Sequence, residues 1–230
     1  GMAWGTDFTQ GADAQKIYSV IGNTQITADV GQLGSTSGSD ADDPTFQNYG
    51  MYFAANHFVK DIGSVGQFDR LCVNNLPWSF HIRVWVDLSV TSNYAIPFNT
   101  SDASGGGGVE FLVNTQFGIM AVSGPWGGRN PEHPPGISSS KWITISWVCD
   151  GAGNVETYAD GVALGSYSYG GVTASGVKAS IQRRENAPGW QTWLGGQPMK
   201  LRCMAFCTVT HSSAEVDAVH DYFAQMANAA

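Results

Sequence analysis

Charged residues are scarce in this chain of 230 residues, at 13% of the total, and basic residues are the scarcer kind. The chain has 11 Lys and Arg residues against 19 Asp and Glu residues, which gives a formal net charge of −8. A nucleic-acid-binding protein needs a basic face that neutralises phosphates, so this deficit argues against nucleic acid as a partner. The hydrophobic content of 43% argues equally against a disordered chain.

Long apolar runs are also lacking. The chain has no uninterrupted run of about 18 apolar residues, the length that a membrane-spanning helix needs, so we expect no membrane partner. Its first residues, Gly1 to Asp7, have neither the basic nor the apolar region of a secretory signal. We therefore expect a virion or cytoplasmic location rather than Sec-dependent secretion.

Cysteine is rare as well, with Cys72, Cys149, Cys203 and Cys207 as its four positions. Cys203, Cys207 and His211 recur at intervals of four, which on a helix would place three metal ligands on one face. This segment has the pattern of a strand, where four residues span about 13 Å, too far for one disulfide or one zinc ion. The sequence therefore predicts buried free thiols rather than a disulfide or a metal site.

Glycine and aromatic residues are abundant, with 29 Gly and 12% aromatics. Several segments alternate between apolar and polar residues, as strands do. From Phe80 to Val90 every even position is apolar and most odd positions are polar, which predicts a half-buried strand with Trp85 on its other face. Residues 141–149 alternate likewise, and the turn 150–154 leads to a hairpin partner at 155–159.

The remaining elements follow from the same patterns. Further strands are predicted at Tyr49 to Ala54, Val109 to Val113, Phe117 to Val122, Val162 to Leu164 and Leu201 to Val209. The Leu201 strand is apolar on both faces and should be central in its sheet. Ser212 and Glu215 form a capping box, and apolar residues at helical spacing follow, which predicts one amphipathic C-terminal helix.

Residues 1–45 are poor in large apolar side chains and rich in Gly, Ser, Thr and Asp. We interpret them as an extended arm or as loosely held edge strands. Residues 46–225 would form the core of a β-sandwich, so the whole chain, 1–230, is predicted to be a single all-β domain.

The segment from Trp142 through Trp147, with Asp150-Gly151, Tyr158 and Asp160-Gly161, resembles the central hairpin of laminin-G-like and concanavalin A-like lectin/glucanase jelly rolls. The Leu201 strand and the capped helix resemble the last strand and helix of these families. The resemblance spans roughly residues 46 to 225 and implies a two-sheet antiparallel jelly-roll sandwich with one short C-terminal helix. This architecture hosts lectins, glycan hydrolases, lyases and adhesion or virion modules.

A glycosidase needs two carboxyl groups flanking the scissile bond. The only Glu-x-Asp pattern is Glu215-Val216-Asp217, which falls in the capped helix, so we assign it to capping rather than to catalysis. No lyase-type Gln-x-His motif is present. An enzyme built on this chain would have to recruit carboxylates from loops, where Glu132 and Glu185 are the candidates.

Two polar loops carry aromatic residues of the kind on which sugar rings stack. The candidate ligand-binding residues are Trp126, Arg129, Asn130 and His133 in one loop, and Arg183, Trp190 and Trp193 in the other. The alternative is that these tryptophans close the open ends of the sandwich, since large aromatics are buried on average.

Asp40, Asp42 and Asp43 form a short acidic cluster that could supply oxygen ligands to Ca²⁺. The spacing lacks the glycine and the late glutamate of an EF-hand loop, so a solvated acidic loop is the favoured interpretation. We predict no other cofactor.

These observations predict a non-catalytic jelly-roll module that binds a glycan or a partner protein, as a surface or tail component of a phage or other virion. Two alternatives stay open. One is a carbohydrate-active enzyme, a glycoside hydrolase or polysaccharide lyase, with loop carboxylates. The other is a purely structural assembly protein.

Overall fold

The computed structural model describes residues 2–7, 16–21, 24–36, 38–47, 50–86, 95–101, 107–114, 118–123, 141–183 and 197–228. Within these ranges the chain forms two antiparallel sheets and one C-terminal α-helix, which confirms the predicted all-β sandwich. The elements are β1 Met2–Asp7, β2 Lys16–Ile21, β3 Thr24–Leu33, β4 Thr45–Gln47, β5 Gly50–Phe53, β6 Val59–Ile62, a 3-10 helix Asp69–Cys72, β7 Trp78–Val86, β8 Ala95–Asn99, β9 Val109–Asn114, β10 Gly118–Ser123, β11 Trp142–Cys149, β12 Asn154–Ala159, β13 Val162–Ser168, β14 Ala179–Ile181, β15 Met199–Cys207 and α1 Ser213–Asn228.

The strands divide between sheet I and sheet II. Among the described residues, sheet I has the order β13-β12-β11-β7-β15-β5-β4, and β1 also pairs with β15. Sheet II has the order β10-β9-β8-β14-β6-β3-β2. The strand that begins near Leu201 lies inside sheet I, as predicted. The N-terminal residues contribute β1 to sheet I and β2 and β3 to sheet II.

The core lies between the two sheets. Phe80, Ile82 and Val84 of β7 are fully buried on the inner face, as their alternation predicts. The Phe80 ring stacks on Phe111 of sheet II with 4.8 Å between centroids, and Phe111 lies 4.5 Å from Trp147. Burying each side chain of this size contributes about 1.5–3 kcal/mol.

A β-bulge in β15 changes which of its residues enter the core. Leu201 pairs with Val84, whereas Cys203 pairs with the next residue, Arg83, so one extra residue is inserted between them. A strict alternation would place Leu201 on the face of Cys203. The bulge instead places Leu201 in the core together with Met204.

Helix α1 covers part of the outer face of sheet I. Val216 packs against Val148 and Tyr158, and Phe223 packs against Cys203 and Ala205. Among the described residues, no helix is both long and apolar enough to cross a membrane.

The capping box at the start of α1 is formed as predicted. The Ser212 backbone N–H and hydroxyl both donate to the Glu215 carboxylate, at 2.7 and 2.8 Å. These bonds give Glu215 a structural role as the capping residue of the helix. Further along the outer face, the Lys200 ammonium lies 4.9 Å from the centre of the half-buried Trp85 ring.

Candidate functional site: a polar pocket beside a histidine and cysteine cluster

An open pocket of about 440 Å³ lies on sheet I where β11, β12 and β13 meet the start of α1. We call it the outer-face pocket. Besides Val148, it is lined by the polar residues Asp150, Asn154, Glu156, Ser166, Thr210 and His211.

One wall of the pocket is the β11–β12 turn, which Asp150 organises. Its carboxylate accepts hydrogen bonds from the Ala152 N–H at 2.6 Å and from the Asn154 N–H at 3.0 Å, and from the Asn154 side chain at 2.8 Å. These bonds, with the Asn154 side chain first, lower the pKa of Asp150. Asp150 is therefore an ionised carboxylate with a fixed orientation. Gly151 and Gly153 adopt the positive φ angles of 73° and 95° that the turn requires.

Glu156 supplies a second oriented carboxylate. It accepts a hydrogen bond of 2.6 Å from the Tyr158 hydroxyl. Burial, together with this bond, raises the pKa of Tyr158 to about 12, so the phenol remains a donor at neutral pH.

Three potential metal ligands meet at the His211 side of the pocket. One ligand atom from each of His81, Cys207 and His211 lies within 4.8 Å of the others. We call these three residues the outer-face cluster. His81 Nε2 is 3.0 Å from His211 Nδ1, and the two rings stack with 4.9 Å between centroids.

The sheet brings His81 and Cys207 together. Cys207 pairs with Ser79, two residues from His81 on the same face of β7, so the two side chains are diagonal neighbours. His211 reaches them because the chain turns back after β15. The His211 N–H donates to the Ser79 hydroxyl at 2.9 Å, and Thr210 Oγ1 donates to the Cys149 carbonyl at 2.8 Å.

Burial keeps the outer-face cluster uncharged. Burial, together with the neighbouring His211, lowers the pKa of His81 to about 3. Burial also lowers the pKa of His211, although Glu215 opposes this, and it raises the pKa of the Cys207 thiol. The cluster therefore holds two neutral imidazoles and a thiol at neutral pH.

All four cysteines are buried and none is linked by a disulfide, as predicted, while the predicted absence of a metal site stays a prediction. The spacing argument was correct to separate Cys203 from Cys207 along the strand. It missed the approach of His81, because a strand 130 residues away in sequence from His211 supplies this residue. The only available signal was that His81 lies on the polar side of the predicted β7.

The acidic cluster forms a separate, more exposed structure between β3 and β4. The Asp40 carboxylate accepts hydrogen bonds from the backbone N–H groups of Ser35, Thr36 and Asp42 and from the Thr36 hydroxyl, at 2.8–3.1 Å. The Asp43 carboxylate accepts the Asp40 N–H at 3.0 Å. Slight burial raises the pKa of Asp40, but these hydrogen bonds, led by the one from Asp42, outweigh it and lower the pKa overall. A calcium site at Asp40, Asp42 and Asp43 stays the alternative to the favoured prediction of a solvated acidic loop.

Most of the predicted ligand-binding residues lie outside the described ranges: Trp126, Arg129, Asn130, His133, Trp190 and Trp193, together with the loop carboxylates Glu132 and Glu185. Arg183 is described. Its side chain is buried, and the guanidinium lies 4.5 Å from the centre of the Phe58 ring. The ligand-binding role of these residues stays a prediction.

No protein-family model matches this chain, and no curated protein matches it. Solved structures do match it. Domain 4 of AbnA, an extracellular arabinanase from Geobacillus stearothermophilus in complex with arabinotriose, is 13% identical with a TM-score of 0.62, covering 95% of this chain and 98% of that one. Trypanosoma rangeli sialidase in complex with sialic acid is 10% identical with a TM-score of 0.64, covering 97% of this chain and 33% of that one. The receptor-binding domain of the botulinum neurotoxin C/D mosaic serotype is 9% identical with a TM-score of 0.60, covering 96% of this chain and 51% of that one.

The chain thus spans nearly all of the arabinanase domain, half of the neurotoxin domain and a third of the sialidase. Identities this low indicate a common fold and nothing finer. The β-sandwich fold of these three proteins is therefore also the fold of this chain, while the laminin-G-like or concanavalin A-like family stays a prediction.

Proposed function

We propose that this chain is a non-catalytic β-sandwich module that binds a glycan. The observation that carries the proposal is its full-length likeness to domain 4 of the arabinanase, which was solved in complex with arabinotriose. In that comparison 95% of this chain aligns with 98% of that domain, so the likeness extends over the whole β-sandwich.

The outer-face pocket supplies a place where a sugar could bind. Its volume lies within the range of about 300–1,000 Å³ that is usual for small-molecule sites. Its carboxylate, amide, hydroxyl and imidazole groups can donate to or accept from sugar hydroxyls. The hydrogen bonds that hold Asp150 and Glu156 fix these acceptors before a ligand arrives, which reduces the ordering cost of binding.

The electrostatics of Asp150 argue against its use as the general acid of a glycosidase. A glycosidase needs one carboxyl group that stays protonated to act as the general acid, and its pKa must be raised. The pKa of Asp150 is lowered instead, so this carboxylate stays ionised at neutral pH and has no proton to donate. The alternative of a carbohydrate-active enzyme depends on Glu132 and Glu185, and release of reducing ends from a panel of polysaccharides tests it directly.

A glycan array tests the proposal and distinguishes its two candidate surfaces. Ser166→Arg places a long side chain in the outer-face pocket, and Val162→Arg, at an exposed position of the same strand that does not line the pocket, is the matched control. Trp126→Ala and Trp190→Ala examine the loop surfaces. We expect the parent protein to bind at least one glycan, and Ser166→Arg but not Val162→Arg to abolish the signal.

Each other outcome has a definite meaning. Loss of binding in the tryptophan variants alone would move the site to the loops while keeping the glycan-binding function. No binding by the parent protein, or binding that no variant changes, would overturn the proposal and leave a protein-binding or assembly role. Light scattering against concentration would then detect self-assembly. The virion location stays a prediction.

A further inference from the structure

We propose that His81, Cys207 and His211 form a binding site for one transition-metal ion of the zinc type. The proposal is independent of glycan binding, because the three residues lie at the sheet surface beneath the chain reversal and only His211 lines the outer-face pocket.

The donor set selects the class of metal. Imidazole nitrogen and thiolate sulfur are ligands of Zn²⁺ and related ions, whereas Ca²⁺ and Mg²⁺ prefer oxygen. Three protein ligands would leave the fourth tetrahedral position for water or an added ligand, which is the arrangement of an open zinc site rather than a closed structural one.

The distances are close to those that zinc requires. With Zn–N of about 2.0–2.1 Å and Zn–S of about 2.3 Å, tetrahedral ligand atoms lie about 3.3–3.6 Å apart. The three ligand atoms here already lie within 4.8 Å of one another, and the two nitrogens are 3.0 Å apart. Small side-chain rotations, without movement of either strand, are enough to form the site.

The surroundings orient the ligands. His81 Nδ1 is 2.7 Å from the Ser146 hydroxyl, which holds the ring so that Nε2 points at His211 and Cys207. Zinc-binding histidines are commonly held in this manner through their second nitrogen. The Ser79 hydroxyl accepts a hydrogen bond from the backbone N–H of His211 and so helps to position His211. His81 therefore comes from β7, its orienting hydroxyl from β11 and the remaining ligands from the end of β15 and the reversal after it.

Binding would change the protonation state in a defined manner. Without metal, His81 Nε2 and His211 Nδ1 are 3.0 Å apart, which is the distance of a hydrogen bond between the two rings. On binding, both nitrogens present lone pairs to the metal, so the proton of this hydrogen bond moves to the other nitrogen of the ring that carries it, and the Cys207 thiol loses its proton to solvent. One proton is released for each ion bound. The outer-face pocket gives the ion a route from solvent to His211.

Titration of Zn²⁺ into the tag-free, reduced full chain tests the proposal. Calorimetry measures the number of ions bound, and a pH indicator in weak buffer measures the number of protons released. We expect one ion bound and one proton released per chain, with a raised midpoint of thermal unfolding. Co²⁺ should give a near-ultraviolet thiolate-to-metal absorption band, which reports Cys207 directly.

The variants are matched in pairs. Cys207→Ser and His211→Gln each remove a ligand and should weaken Zn²⁺ binding by at least about 100-fold, whereas Ser146→Ala, which removes only the orienting hydroxyl, should weaken it by about 10–100-fold. Cys203→Ser on the same strand and His220→Gln on α1 are the controls and should bind as the parent does.

Two results would overturn the proposal. One is a folded parent protein that neither binds Zn²⁺ nor gives the Co²⁺ band. The other is binding that Cys207→Ser and His211→Gln leave unchanged, which would place the ion elsewhere. A protein that binds glycan but no zinc, or zinc but no glycan, separates this proposal from the proposed function.

Discussion

Two groups of potential metal ligands lie in different parts of the molecule, and they are assembled in opposite ways. The acidic loop, Asp40 to Asp43, is local: the carboxylate of Asp40 binds backbone and side-chain groups no more than five residues away. The outer-face cluster is non-local: His81 and His211 are separated by 130 residues.

The two regions also differ in their exposure to water. Asp40 is half-buried at a loop, whereas His81 has no exposed surface. A group that is removed from water has no substitute partner when its hydrogen bond is lost, whereas an exposed group can bond to solvent. Burial, rather than the number of hydrogen bonds, should therefore decide which region contributes more to the free energy of unfolding.

The largest expected effect comes from disrupting sheet I. The outer-face cluster depends on this sheet for its assembly, whereas the acidic loop is held by local hydrogen bonds. Ile145 is fully buried on the inner face of β11, and Ile145→Lys would place a charge in the core. We expect no cooperative thermal unfolding and no soluble folded protein, measured by circular dichroism and size-exclusion chromatography, while Val162→Lys on the exposed edge behaves as the parent. A soluble variant that melts cooperatively would show that the strand assignment is wrong.

The next effect compares the two regions directly. His81→Ala removes two hydrogen bonds and leaves a buried hole, so it should lower the free energy of unfolding by about 2–4 kcal/mol. Asp40→Ala removes four hydrogen bonds, but its site is more exposed to solvent, so we expect it to lower the free energy of unfolding by about 1–2 kcal/mol. Chemical denaturation of both variants measures the difference. A larger loss for Asp40→Ala would reverse the comparison.

A smaller effect depends on pH. The pKa of Asp40 is lower in the folded protein than its ordinary value of 3.8, so the unfolded chain binds protons more tightly at this residue. Its contribution to stability is complete above about pH 4 and is lost as the pH falls through the folded pKa. The difference in unfolding free energy between the parent and Asp40→Asn should therefore narrow below about pH 4. A constant difference down to pH 2 would indicate that Asp40 is not held as a carboxylate.

The smallest effect concerns calcium. Because the Asp40 oxygens are already bonded to backbone N–H groups, we expect the unfolding temperature in Ca²⁺ and in EDTA to agree within error, while Zn²⁺ raises it. A rise in Ca²⁺ that Asp42→Asn removes would instead identify the acidic loop as a calcium site.

The sequence by itself predicted the elements whose causes are local. The alternation in β7 and β11, the glycine turn after Asp150 and the capping box of Ser212 each depend on neighbouring residues, and each is present. The acidic loop could also be recognised in the sequence, because its aspartates are close neighbours along the chain.

The tertiary structure decided what depends on register and chain reversal. Alternation cannot locate the bulge that moves Leu201 into the core, because one inserted residue exchanges the two faces of a strand. Nor can it bring His81 to Cys207 and His211, since their proximity requires β7 and β15 to be neighbours and the chain to turn back over them. The sequence therefore determined the strands with clear alternation, the turn after Asp150 and the helix, but not β6, β8 or β14. The chain reversal after β15 completed the pocket, and the pairing of β7 with β15 created the cluster.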